Sequence, residues 1–346
     1  MSTVKASSSV AWRQPRVWLG LVVSAAFFVL LLRQVDGREL LDAIREVRPA
    51  WLVVALAVYF AGLWVRALRW RLILRPHVEV AGRDAFALLV IGYAANNVLP
   101  VRAGEFVRAG LLQQRHGAPW ATGLGTIVVE RILDGLVLAA FLAATVALAG
   151  GDGLLRTLAL VALLGFAVVA AMLVLLGRTS GRRARRLMPL VPSRFRVRIE
   201  ATLARFAVGL TALRGTRAWA SLAALSVATW GLEAATYWLI GLAFALPLDA
   251  PLYLGLCAAA NLAIAAPSTA GGIGPFEYFA REVAVFYGAG VAAATAYALV
   301  LHVLILVPVL LLALALLWRR HLAPGTLLHA PAGPPTSEAP VPAEGV

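Results

Sequence analysis

The sequence predicts an all-α polytopic membrane protein, and three observations predict it. Apolar residues make up 61% of the 346 positions and the mean hydropathy is +0.85. Charged residues make up only 14%, where soluble domains carry about 25%. Several apolar runs reach the roughly 20 residues that cross a hydrocarbon core of about 30 Å at about 1.5 Å per residue. A soluble enzyme of one or two domains is thereby excluded. The single cysteine, Cys257, leaves no disulfide framework and no Cys-based zinc or iron–sulfur site. No cofactor and no metal are expected.

The net charge of +14 raises the question of nucleic acid, and its location answers it. Residues 178–217 hold eleven Arg against one acid, Glu200, which leaves only +4 for the rest of the chain. A basic block between apolar spans marks a cytoplasmic loop and not a nucleic-acid surface. Within it, Phe195, Ile199, Leu203, Phe206, Leu210 and Leu213 recur at helical spacing between Arg residues. That is an interfacial amphipathic helix, placed to touch anionic headgroups.

About six full spans are expected, near 17–32, 50–65, 121–149, 154–176, 217–245 and 290–318. Arg13 and Arg16 precede the first, and no small-residue cleavage motif closes it, so it reads as an uncleaved anchor. Segment 33–49 carries Leu40, Leu41, Ile44 and Val47 at amphipathic spacing, a short helix on the outer surface. After the second span, Arg66, Arg69, Arg71, Arg75 and Arg83 mark the cytoplasm.

The stretch 85–99 is a helix of only about 22 Å that ends at Asn96-Asn97-Val98-Leu99-Pro100, and the Arg-bearing segment after it also reads as cytoplasmic. A re-entrant hairpin is the simplest solution. Spans 121–149 and 154–176 follow, joined by Gly150-Gly151-Asp152-Gly153 outside. The second half repeats the plan. Stretch 251–289 is broken by Pro267, Gly271, Gly272, Gly274 and Pro275, and parity makes it a hairpin that enters from the opposite face. Ala94-Ala95-Asn96 recurs as Ala259-Ala260-Asn261. The expectation is therefore an inverted repeat, 50–149 against 217–318, with two oppositely oriented re-entrant hairpins. The alternative, short helices that each cross fully, stays open. Residues 1–321 form one membrane domain and the Pro-rich residues 322–346 a disordered tail. Both termini are expected in the cytoplasm.

Charges inside a bilayer cost several kcal/mol, on the order of 3 at the centre, unless paired or hydrated. The first hairpin carries Arg102, Glu105 and Arg108; the third full span carries Glu130, Arg131 and Asp134; the second hairpin carries Glu277, Arg281 and Glu282. Glu233 lies mid-span between Trp230 and Tyr237. Glu105 with Arg108, and Glu277 with Arg281, have the spacing to pair within their own helices. Converging carboxylates and guanidiniums favour a polar cavity, in which Arg102 or Arg108 holds a phosphate and Glu105, Glu130, Asp134 and Glu277 line the other wall. Asn96, Asn97, Asn261, Gly271 and Gly272 belong to the turns of the same site, where they also serve simply to make a hairpin. A lipid headgroup passing through such a groove, with its tails left in the bilayer, uses all of these features.

Three motifs occur in order: Asn96-Asn97-x-x-Pro100-x-Arg102-x-Gly104-Glu105-x-x-Arg108, then Glu130-Arg131-x-x-Asp134, then Pro267-x-x-x-Gly271-Gly272-x-Gly274-x-x-Glu277. Together they resemble the integral-membrane flippase-like family that includes the transmembrane region of lysylphosphatidylglycerol synthetases, over residues 15–320. The resemblance implies a multi-pass protein of a prokaryotic plasma membrane, linked to lipid transport. It does not carry over the synthetases' substrate, because their soluble aminoacyl-transfer domain has no counterpart in the 25 residues after 321. Membrane lipids are the expected partners, and a homo-oligomer is compatible with the sequence. The expected function is lipid translocation without enzymatic activity. Two rivals remain. One is a membrane transferase acting on a lipid phosphate, for which Glu130-x-x-x-Asp134 offers a faint carboxylate pair. His77, His116, His302, His321 and His329 form no H-x-x-x-H motif. The other is a non-transporting scaffold for envelope synthesis.

Overall fold

The computed structural model describes residues 15–33, 35–99, 103–150, 153–178, 216–264 and 270–319. These form eleven α-helices and one 3-10 turn, with no strand among the described residues. They are α1 (Pro15–Leu32), α2 (Gly37–Arg45), α3 (Pro49–Leu74), α4 (Gly82–Val98), α5 (Gly104–His116), α6 (Trp120–Ala149), α7 (Gly153–Arg178), α8 (Thr216–Ala243), α9 (Leu252–Ala263), the turn Ala270–Gly272, α10 (Pro275–Phe286) and α11 (Val291–Arg319). The amphipathic part of the basic block, the Pro-rich tail, the N-terminus, Pro100, Arg102, Asp152 and Pro267 lie outside the described residues.

Local chemistry sets several boundaries. The Asp36 carboxylate accepts the Arg38 N–H at 2.7 Å and caps α2, whose Leu41 and Ile44 stay exposed. Pro49 starts α3, where a missing N–H costs nothing. Among the described residues, α3, α6 and α11 are both long and apolar enough to cross a membrane. The expected end of the second span near residue 65 is corrected: α3 continues for nine residues to Leu74. Its apolar residues resume between the Arg residues, so the charges interrupt the run in composition only.

Packing sets α3 and α8 antiparallel. α3 and α8 lie together along their length, with the Arg48 N–H on the Ala243 carbonyl at one end and Ile73 against Leu222 at the other. Exchanging α3 with α8, α4 with α9, α5 with α10 and α6 with α11 turns nearly every packed pair into another packed pair. Thus α9 packs on α6 as α4 packs on α11, and α5 on α6 as α10 on α11. α4 and α5 fold back on each other, as do α9 and α10. The second pair starts and finishes at one end of the molecule: the Thr145 hydroxyl reaches the Pro251 carbonyl at 3.5 Å and the Tyr287 hydroxyl the Gly150 carbonyl at 3.3 Å. The 3-10 turn at its tip packs on α4, with the Asn97 carbonyl beside Gly271.

Candidate functional site

The site is built outward from α3 and α6. Glu130 and Asp134 are one turn apart on α6 and face α3, whose Arg66 and Arg69 are one turn apart in the opposite sense. Arg69 is fully buried and bridges both carboxylates, with Nη1 2.7 Å from Asp134 Oδ1 and Nη2 3.7 Å from Glu130 Oε1. Arg108 reaches in from α5 and places Nη2 2.5 Å from Glu130 Oε2, with its guanidinium 3.6 Å above the Trp70 ring. Arg131 links Asp134 at 3.5 Å to Glu105 at 3.6 Å. Arg66 pairs with Glu233 of α8 at 3.3 Å and lies 4.6 Å over the Trp230 ring, whose indole N–H donates to Asp134 at 2.9 Å. Four guanidiniums and four carboxylates on four helices thus form one connected, charge-balanced network. Each charge has a partner, which is the condition for burying it.

The network is graded from interior to surface. The Arg69 and Glu130 side chains are 0% exposed, whereas Glu105 and Arg131 are 30% and 32% exposed. Its spare hydrogen-bonding capacity lies on three of the arginines and on Glu130. Arg69 Nε and Nη2, Arg108 Nε, Arg131 Nε and Glu130 Oε1 are buried without a hydrogen-bond partner among the described residues. Several are donors on cations from three helices, and those of Arg69 and Arg108 belong to guanidiniums that both pair with Glu130. The Asn96 side-chain carbonyl closes the neighbouring turn by accepting the Gly104 N–H at 2.8 Å.

The second cluster belongs to α10 and α11. Glu277 Oε2 accepts the Gly274 N–H at 2.7 Å, a helix-start contact, and Oε1 lies 2.7 Å from His302 Nδ1. Gly271, Gly272 and Gly274 have φ of 76, 75 and 99°, which other residues rarely adopt, so glycine is required at this tip. Arg281 is buried, donates to the Leu31 carbonyl at 2.9 Å and pairs with Glu282. Asn261 donates to the Tyr237 hydroxyl and the Cys257 carbonyl.

Several expectations are corrected. Glu105 and Arg108 do not pair with each other: Arg108 turns inward to Glu130 and Glu105 pairs with Arg131. Glu277 does not pair with Arg281, because His302 and the Gly274 N–H occupy its oxygens. Arg66 and Arg69 are not flanking charges but buried members of the network. The structure brings together Glu105, Arg108, Glu130, Arg131 and Asp134, with Asn96 beside them. It groups Gly271, Gly272 and Glu277 separately, and the two groups meet where the Ala270–Gly272 turn packs on α4. Arg281 and Asn261 hold helices to one another. Among the described residues no group of three His, Cys, Asp or Glu side chains has metal-binding geometry.

The fold and this network define an α-helical multi-pass membrane protein with a buried polar network between its helices. Residues 17–313 match the profile of the family described as Lysylphosphatidylglycerol synthase TM region, and the chain belongs to that family. It is 27% identical over 300 residues to the protein named Glycosyltransferase AglD of Haloferax volcanii, covering 77% of this chain and 48% of that one. It is 30% identical over 119 residues to a UPF0104 membrane protein of Methanothermobacter thermautotrophicus, covering 34% of each. A UPF0104 membrane protein of Methanocaldococcus jannaschii is 24% identical over 117 residues. The matched region is thus about half or less of each relative's length.

Proposed function

We propose that this protein moves a phosphate-bearing lipid, a phospholipid or a lipid-linked sugar, across the plasma membrane. One observation carries the reading: within a fully ion-paired network, guanidinium N–H groups of Arg69, Arg108 and Arg131, from α3, α5 and α6, are buried without a hydrogen bond around Glu130. Guanidinium forks bind phosphate oxygens, and the surrounding carboxylates keep the empty site neutral. Six full spans and two re-entrant hairpins provide the frame. α4, α5, α9 and α10 have 17, 13, 12 and 12 residues, too short to cross singly at about 1.5 Å per residue. The antiparallel packing of the halves supports an inverted repeat in which rocking of one half against the other gives alternating access. The half-exposed Glu105–Arg131 pair forms the entrance, and both termini lie in the cytoplasm.

The relative named a glycosyltransferase favours a second reading, in which this membrane region serves sugar transfer to or from a lipid phosphate. The shared part is 48% of that relative, so its name does not assign transfer to the shared part. Mass spectrometry of vesicle lipids separates the two. Translocation alone leaves headgroup chemistry unchanged with or without magnesium. A new lipid species that disappears in Glu130→Gln makes the transferase reading the better one.

A further inference from the structure

His302 and Glu277 form a pair that the arginine network does not use. The two residues are 3% and 4% exposed. His302 Nδ1 lies 2.7 Å from Glu277 Oε1, its Nε2 lies 3.0 Å from the Gly271 carbonyl oxygen, and its ring stacks on Phe276 at 4.2 Å. A carbonyl oxygen only accepts, so Nε2 carries a hydrogen. The contact between Nδ1 and Oε1 then needs a second hydrogen, held either by an imidazolium facing a carboxylate or by a carboxylic acid facing a neutral imidazole. Both forms have the same proton count and no net charge.

Losing one proton breaks this arrangement whichever atom gives it up. If the remaining hydrogen stays on Nδ1, the Nε2 lone pair faces the Gly271 oxygen. If it stays on Nε2, the Nδ1 lone pair faces a carboxylate. Either outcome replaces a buried hydrogen bond with repulsion and leaves a net negative charge away from water. The atom affected is in the glycine tip, whose 3-10 turn packs on α4 of the other helical pair and where a Cβ on Gly271 would lie 3.6 Å from Leu306 of α11 and 3.7 Å from the Asn97 carbonyl.

We propose that His302 and Glu277 are a proton-binding site that latches the glycine tip of the α9–α10 pair to α11, so that a proton controls the contact between the two hairpins. Its role as a coupling site rests on the translocation reading; the latch itself does not. The latched state holds one more proton than the released state, so low pH favours the latch and rising pH releases it. The charged groups facing this region from the packed helices are Arg281 and Glu282 on α10 and Glu233 on α8. The first two pair with each other and the third with Arg66, so none is an unpaired charge that fixes the protonation of the pair. Tyr253 and Cys257 on α9, Tyr237 on α8, Tyr297 on α11 and Tyr93 on α4 are phenols and one thiol, and α1 faces the tip with the Ser24 and Leu31 carbonyls.

The test uses the full chain in phosphatidylcholine–phosphatidylglycerol vesicles, with Cys257→Ser and a reporter Ile273→Cys at the tip, where Ile273 is 43% exposed. Labelling by a methanethiosulfonate reagent is followed from about pH 5.5 to about pH 8.5. In E277Q the amide donates to Nδ1 while its oxygen still accepts the Gly274 N–H, so the latch stays closed at every pH. The labelling rate of the otherwise unaltered reporter protein, divided by that of E277Q at the same pH, should rise about fivefold or more as one proton leaves. H302Q has no second proton to lose, so its profile should lack that rise. Coincident profiles for the parent and E277Q overturn the latch. If E277Q fails to fold, an H302Q profile equal to the parent's overturns it instead. Lipid movement under an imposed pH gradient is measured in the same vesicles. A latch profile without lipid movement leaves the latch standing and refutes translocation; lipid movement with coincident profiles does the reverse.

Discussion

Arg69 and Arg71 are two positions apart and read alike in the sequence, yet the structure gives them opposite weights. Arg69 bridges Asp134 and Glu130 in the interior, so Arg69→Ala leaves Glu130 to Arg108 alone and Asp134 to Arg131 and the Trp230 N–H, unbalances the buried charge and should cost about 3 kcal/mol. Arg71 is exposed and donates once, to the Val80 carbonyl at 2.9 Å, so Arg71→Ala should cost about 1 kcal/mol. Thermal unfolding in detergent checks the order, and equal losses would contradict it. Arg108→Lys keeps the charge but loses the fork and the full face on Trp70, so folding should survive while lipid movement falls about tenfold, or about 1.4 kcal/mol. Of this network, the motif residues Glu105, Arg108, Glu130, Arg131 and Asp134 were legible because charge inside an apolar run is expensive. Arg66 and Arg69 were not, because a cluster of arginines after an apolar run also fits a cytoplasmic flank. The distinguishing signal is the apolar sequence that resumes through Leu72, Ile73 and Leu74. His302 was passed over because no second His is near it in sequence; its partner, Glu277, comes from another helix.

Among the elements, the α4–α5 pair depends on backbone contact at glycine. A Cβ on Gly104 would sit 2.0 Å from the Gly92 carbonyl oxygen and 2.7 Å from the Asn96 N, so backbone must move. Gly104→Ala should therefore open the pair and lower the melting temperature. Gly231→Ala on α8, with open space around the added atom, should be neutral or stabilise by up to about 1 kcal/mol. Equal behaviour of the two variants would show that the close approach is not maintained in the membrane. The break between α4 and α5 was readable from the Asn-Asn-x-x-Pro sequence, and that between α9 and α10 from the glycines. The length of α3 was not, because helix continuation through Arg residues depends on partners in α6 and α8 that local sequence does not reveal.

For the whole molecule, the antiparallel halves predict where each loop faces the solvent. In a Cys257→Ser background, Arg75→Cys and Gln114→Cys should react only from the cytoplasmic side, and Asp249→Cys and Gly290→Cys only from the outside. Labelling of Asp249→Cys and Gly290→Cys from opposite sides would mean that the α9–α10 segment crosses fully. The proposed repeat rests in sequence only on short echoes such as Ala-Ala-Asn, whose two asparagines do different work: Asn96 closes its own turn, while Asn261 ties α9 to α8 through Tyr237. Helix exchange preserves packing without preserving identities, so the correspondence of the two parts lies in which helices touch. The measurement that bears most directly on function is lipid movement in vesicles reconstituted with the purified chain, using a panel of fluorescent phospholipids and a polyprenyl-phosphate-linked sugar with an external reductant. Translocation predicts that at least one phosphate-bearing lipid becomes accessible from the inner leaflet, with the rate cut about tenfold by Arg108→Lys. No accessible lipid across the panel, or an identical rate in Arg108→Lys, would contradict it.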